Sequence, residues 1–263
     1  MVERDGLILL LDVIDPSGTM RERGPGWAHD LALVRQMLLS ELEAEDNLYE
    51  RQVVQIGGRS VLFVPLESAQ NLRLPLGWVF RTMMRALHLQ AELCTRGVFF
   101  GGLLALGKGI GGPEHVVGAG VEYVVRRHAR LPGYPRIVVD DRLLHAVMLD
   151  ARLRHFQHGP DEELEYIQRL VERDGDGFWY VDYVGAIERE CDSSEEYEQW
   201  LARHRDWAQA KLNAVVETDD YYAAWHWLAW YHNRVVRELP DEVVGDEAAR
   251  VDLSVLAEVR PTV

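Results

Sequence analysis

The stretch Thr95–Val139, TRGVFFGGLLALGKGIGGPEHVVGAGVEYVVRRHARLPGYPRIVV, decides the fold. Gly97–Leu106 is nearly all apolar or glycine and reads as a strand buried on both faces. A Gly-rich loop follows. Gly118–Arg130 then opens a helix, and Arg136–Val139 reads as a short strand after Pro135. Working upstream, Leu76–Cys94 is amphipathic, with Val79, Met83, Ala86, Leu87 and Gln90 at helical intervals. Arg51–Ile56 and Ser60–Leu66 are strand-like, and Gly57-Gly58 between them is a two-residue hairpin signal. Trp27–Glu45 carries Leu31, Val34, Leu38, Leu39 and Leu42 on one helical face. Leu7–Ile14 is an apolar strand. The order is β-α-β-β-α-β, the ferredoxin-like pattern of an α+β fold. It predicts an antiparallel or mixed sheet with helices packed on one face.

Downstream, Asp140–Arg154 reads as helix. Tyr166–Glu172 and Phe178–Val184 read as a hairpin around Asp174-Gly-Asp-Gly177. Ser193–Val216 and Thr218–Leu239 read as helices, holding Trp200, Trp207, Trp225, Trp227 and Trp230. Such aromatic stripes are core more often than cofactor sites, so these helices pack back onto the sheet or form a dimer surface. No Pro- or Ser-rich linker interrupts the chain. We expect a core over 1–155, a hairpin and helices over 156–240 completing the same unit, and an acidic tail over 241–263.

Composition bounds the function. The 263 residues are 48% hydrophobic, enough for a large core. The net charge of -15 argues against duplex nucleic acid, whose phosphates demand cationic surface. It leaves room for a nucleotide in a local basic pocket. Cys94 and Cys191 match no metal spacing and read as free thiols. With no secretory leader and no apolar run near ~20 residues, the reading is a cytoplasmic protein without a membrane span.

Four features could carry chemistry. Asp12 stands alone among Leu9, Leu10, Leu11, Val13 and Ile14. A carboxylate there is costly unless paired or metal-bound, so it is a metal ligand, a salt-bridge partner or a solvated strand end. Asp15 could add a second carboxylate or start a turn before Pro16. The hairpin tip Gly57-Gly58-Arg59-Ser60 holds no acid; Glu67, further along, could substitute only with a slipped register. Gly118 at a helix start suits a phosphate, with Glu122 and Arg126 following on the helix. Arg126 could stabilise phosphoryl charge, or be a surface arginine in a cluster with Arg127 and Arg130. Gly102–Lys108 has Gly-x4-Gly-Lys spacing, but Gly109 replaces the metal-binding hydroxyl, so it reads as strand.

These motifs together resemble the Pycsar-type pyrimidine nucleotide cyclases, a branch of the class III nucleotidyl cyclases. Leu10-Leu-Asp-Val-Ile14 resembles the family's first strand. Arg96-Gly-Val-Phe99, Gly118-Ala-Gly-Val121 and Tyr134-Pro-Arg-Ile137 follow in the family's order. Asp174–Val181 and Trp227–Asn233 resemble its C-terminal strand and helix. The resemblance implies a homodimer that converts UTP or CTP into cyclic UMP or cyclic CMP, an antiviral messenger for a separate effector. It implies Mn2+ or Mg2+ held by Asp12 with Asp15 or Glu67, Arg126 as the catalytic arginine, and Gly118 and Glu122 at the substrate. The family's hairpin aspartate is missing near Gly57–Ser60. Two readings follow: a divergent cyclase, or a cyclase-fold protein that has lost metal catalysis and serves in binding or regulation.

Overall fold

The structure is a computed structural model and describes residues 2–14, 25–43, 50–56, 58–69, 77–112, 115–216, 219–239 and 250–253. The elements in chain order are β1 Arg4–Val13, α1 Pro25–Glu43, β2 Gln52–Ile56, β3 Arg59–Pro65, α2 Leu66–Ala69 and α3 Trp78–Cys94. They continue with β4 Phe100–Gly111, β5 Val116–Val117, α4 Ala119–His128, β6 Ile137–Val139, α5 Asp141–Leu149 and α6 Pro160–Gln168. The last are β7 Val171–Arg173, β8 Trp179–Val181, α7 Tyr183–Ala186, α8 Ser194–Asn213 and α9 Tyr222–Glu238.

The described strands form one sheet in the order β2-β3-β1-β4-β6-β8-β7, with β5 paired to β4 at its side. The first four neighbours are antiparallel throughout, which is the ferredoxin-like arrangement the element order predicted. β6 then joins β4 in parallel, and the β7–β8 hairpin extends the sheet antiparallel. The fold is therefore α+β on a mixed sheet.

Period-2 alternation in β1 sorts the two faces. Leu7, Leu9 and Leu11 face one large core with Val34 and Leu38 of α1 and Val79, Met83 and Leu87 of α3. Ile8 and Leu10 face a smaller core with Val61, Phe63 and Leu103, closed by Val121 and Val124 of α4. The expectation of helices on one face only does not hold, because α4 covers the other. Because both faces of β1 and β4 are apolar, the pattern could not assign a side to each helix. Glycine makes this second layer possible. A Cβ on Gly120 would lie 2.6 Å from the Lys108 amide nitrogen and 2.7 Å from the Gly107 Cα. The helix thus rests directly on the backbone of β4.

The Trp-rich helices pack inward. Trp225 is fully buried, Trp200 and Trp227 are nearly so, and all three join the large core with α3 and α7. Trp200 Nε1 donates to the Ala91 carbonyl at 3.0 Å and so ties α8 to α3. Trp207 and Trp230 keep over a third of their surface exposed.

Some boundaries differ from the sequence reading. β4 runs on through the glycine-rich Gly107–Gly111, since pairing with β1 down to Arg4 satisfies its backbone. Tyr166 belongs to helix α6, not to a strand. Pro160 at the helix start and Asp161, Glu162 and Glu163 in its first turn set that helix, and only Val171–Arg173 is left as strand. Phe178–Val184 divides into β8 and the start of α7, where the Asp182 side chain caps the turn by accepting from the Gly185 amide. No helix among the described residues is long and apolar enough to cross a membrane. The tail beyond Leu239 lies outside the described residues except for 250–253.

Candidate functional site

Asp12 follows Ile8 and Leu10 on the α4 face of β1, paired across to Gly101 of β4. One residue earlier, Leu11 pairs with Ser60, so the start of β3 lies beside Asp12. Arg59 occupies that place. Its Nε donates to Asp12 Oδ2 at 2.8 Å, with both side chains a quarter exposed or less. The salt bridge left open by the sequence is the arrangement found. His128, at the end of α4, shares this corner. Burial lowers its pKa; Asp12 opposes that shift and the Arg59 charge reinforces it. His128 Nδ1 is buried and has no hydrogen-bond partner.

Among the described residues, the others singled out in the sequence do not join this corner within one chain. Glu67 is exposed in α2, beyond the end of β3 that pairs with Gly6, and its charge is felt by Arg4. Arg4 pairs with Gly109 while Asp12 pairs with Gly101. Eight residues of strand, roughly 26 Å, therefore separate the Glu67 end from Asp12. Glu67 cannot share an ion with Asp12, because β3 keeps its register. Asp15 lies outside the described residues.

Gly118 sits at the same far end as Glu67. It adopts φ +130°, and a Cβ there would meet the Lys108 carbonyl at 2.9 Å. Close packing of α4 on β4 accounts for this glycine without a phosphate. Glu122 and Arg126 lie on the outer face of α4, paired with each other at 3.4 Å and each about two-thirds exposed. The surface-arginine reading describes Arg126 within one chain.

The described residues at the Asp12 corner do not fit a pair of divalent ions. A guanidinium already bonds the carboxylate, and His128 lies beside the pair. Among the described residues no group of three His, Cys, Asp or Glu is arranged to hold a metal.

A second polar centre gathers pieces that carried the resemblance but that sequence reasoning did not single out as a site. Arg136 is almost fully buried and binds both Asp174 and Asp176 of the β7–β8 turn. Its guanidinium lies 5.1 Å from the Tyr134 ring, 5.5 Å from Trp227 and 5.8 Å from Tyr180. Trp227 Nε1 also donates to Asp174 Oδ2 at 2.7 Å and stacks on Tyr134. One knot thus binds the segment Tyr134–Ile137, the Asp-Gly-Asp-Gly turn and α9. The signal available beforehand was a lone arginine after Tyr-Pro and two aspartates in a glycine turn.

No family model and no curated protein matches the chain. Among solved structures, one titled as the crystal structure of the guanylyl cyclase Cya2 resembles it at 14% identity, over 69% of this chain and 93% of that one, with a TM-score of 0.38. A likeness of that size assigns no activity to the chain.

Proposed function

We propose that this chain is a cyclase-fold protein that has given up two-metal cyclisation and serves as a binding or regulatory protein. The observation that carries the reading is the 2.8 Å pair between Arg59 and Asp12. Two-metal phosphoryl chemistry needs carboxylates converging on both cations. Here the hairpin supplies a guanidinium, which provides the counter-charge a metal would provide. A dication at Asp12 would have to displace Arg59 and then tolerate it nearby, a like-charge cost that grows as water is excluded.

A second reading has one observation in its favour. The Glu122–Arg126 face of α4 is exposed and could complete a site at Asp12 of another copy. That reading is a homodimeric cyclase using Mn2+ or Mg2+ on UTP or CTP, with the cyclic product acting on a separate effector in antiviral defence. Asp15 would have to supply the second carboxylate.

One assay separates the two. The purified chain is incubated with ATP, GTP, CTP and UTP and Mn2+, and products are identified by mass spectrometry. We expect no 3′,5′-cyclic nucleotide. Arg59→Asp should restore a pair of acids, so that Mn2+ raises the melting temperature of this variant and not of the wild type. A cyclic product from the wild type that disappears in Asp12→Asn would overturn the proposal.

A further inference from the structure

On the sheet face opposite Asp12, α3, α6 and the turn after α7 enclose a cleft of about 510 Å3. Phe80, Met84, Leu170 and Ala186 supply its apolar surface. Arg81, Arg85, Arg169 and Arg189 also line it, with Glu190 as the acid among them. Glu190 is engaged by His88 at 3.2 Å. Four arginines thus line one cleft in a chain of net charge -15.

We propose that this cleft binds a phosphorylated planar molecule of nucleotide size. Guanidinium forks match phosphate oxygens in pairs, and their weak hydration lets them do so against an apolar wall. The arginines are also positioned. Arg85 is buried in α3. Arg169 lies over the Tyr166 ring at 5.2 Å and is held by Glu165 at 2.8 Å. Arg189 Nη1 donates to the Arg169 carbonyl at 3.2 Å, which brings those two residues to one rim. The floor of Phe80, Met84 and Leu170 argues against an inorganic anion, which would leave it uncovered. A flat ring of a nucleobase's dimensions covers it while the phosphates reach the arginines. The volume is that of small-molecule sites, roughly 300–1,000 Å3. A long polyanion is disfavoured by the acidic remainder of the surface.

This inference stands apart from the reading of Asp12, because the cleft and Asp12 lie on opposite faces of the sheet. The test is isothermal titration of the full chain with ADP, GDP, CDP and UDP, and with pyrophosphate and uridine as partial probes. At least one diphosphate should bind one-to-one. Pyrophosphate should bind more weakly, and uridine not measurably. Arg169→Ala with Arg189→Ala should weaken the diphosphate about tenfold or more, the loss of one charge-assisted contact or more. Arg59→Ala should leave the affinity unchanged. Should the double variant fail to fold, Arg189→Ala alone and Phe80→Ala carry the same expectation, with melting temperature as the control for folding. No binding of any diphosphate below roughly 1 mM would overturn the proposal. So would binding that survives the cleft substitutions or that is lost in Arg59→Ala.

Discussion

The two arginine–aspartate centres use the same chemistry and stand in opposite settings. Arg59–Asp12 closes one end of β1, with both side chains a quarter exposed or less. Arg136 is almost fully buried, engages two aspartates and is ringed by aromatic side chains. The difference teaches what each is for. A pair that keeps some contact with water loses less when one partner is removed. Removing a buried guanidinium costs more, since it leaves carboxylates beside apolar rings. On the reading proposed above, the first centre is a metal position taken over by a guanidinium. The second is a structural lock that joins the C-terminal turn and α9 to the ferredoxin-like sheet.

The histidines repeat the contrast. His128 sits beside Asp12 with Nδ1 unsatisfied. His204 is buried under α9, with Nε2 2.7 Å from the Tyr183 hydroxyl and Nδ1 3.0 Å from His232 Nδ1. Burial, and then the neighbouring His232, hold its pKa well below the ordinary histidine value. Polar groups beneath the C-terminal helices are interlinked, whereas His128 Nδ1 at the Asp12 corner has no hydrogen-bond partner. Asp182 belongs to the interlinked set, accepting from the Tyr231 hydroxyl.

The largest expected effect comes from breaking the lock. Arg136→Ala should cost about 3–5 kcal/mol, read from urea denaturation, because Asp174 is left buried without its counter-charge. A cost below about 1 kcal/mol would place Arg136 with the partly exposed pairs.

The next effect is acid sensitivity. His204 and His128 both have depressed pKa values in the folded state, burial being the first cause for each. The unfolded chain therefore binds their protons first. Their contribution to stability is fully present above the unfolded histidine value of 6.5 and is lost as pH falls toward the folded values. Each such group contributes a slope of up to about 1.4 kcal/mol per pH unit in that window. Asp182 acts in the opposite sense. Burial raises its pKa, so its contribution is present in acid and lost as pH rises through the folded value. Urea midpoints should fall from pH 7 to pH 5 as the histidine contribution is lost. Midpoints that do not change over this range would show that His204 is not held neutral by the fold.

The smallest effect belongs to the Asp12 corner. Arg59→Ala should change stability by about 1 kcal/mol or less, as partly exposed pairs do. The same substitution removes the positive charge beside His128, so the His128 pKa should rise when followed by NMR. A loss comparable to that of Arg136→Ala would dissolve the distinction between the two centres.

The sequence by itself determined the order of elements and the antiparallel half of the sheet. Apolar runs, helical spacing and the Gly57-Gly58 turn are local signals, and β1 through β4 follow from them. It also showed that the hairpin tip carries Arg59 and no acid. Only the tertiary structure decided what Arg59 does, because its partner is 47 residues away and the strand register sets which side chains meet. The same holds for Arg136, whose aspartates lie 38 and 40 residues downstream and whose Trp227 neighbour is on the last helix. The face chosen by α4 was likewise settled in three dimensions, since β1 is apolar on both sides and local patterning cannot choose between them. Local chemistry wrote the elements, and long-range packing chose the partners of each charge.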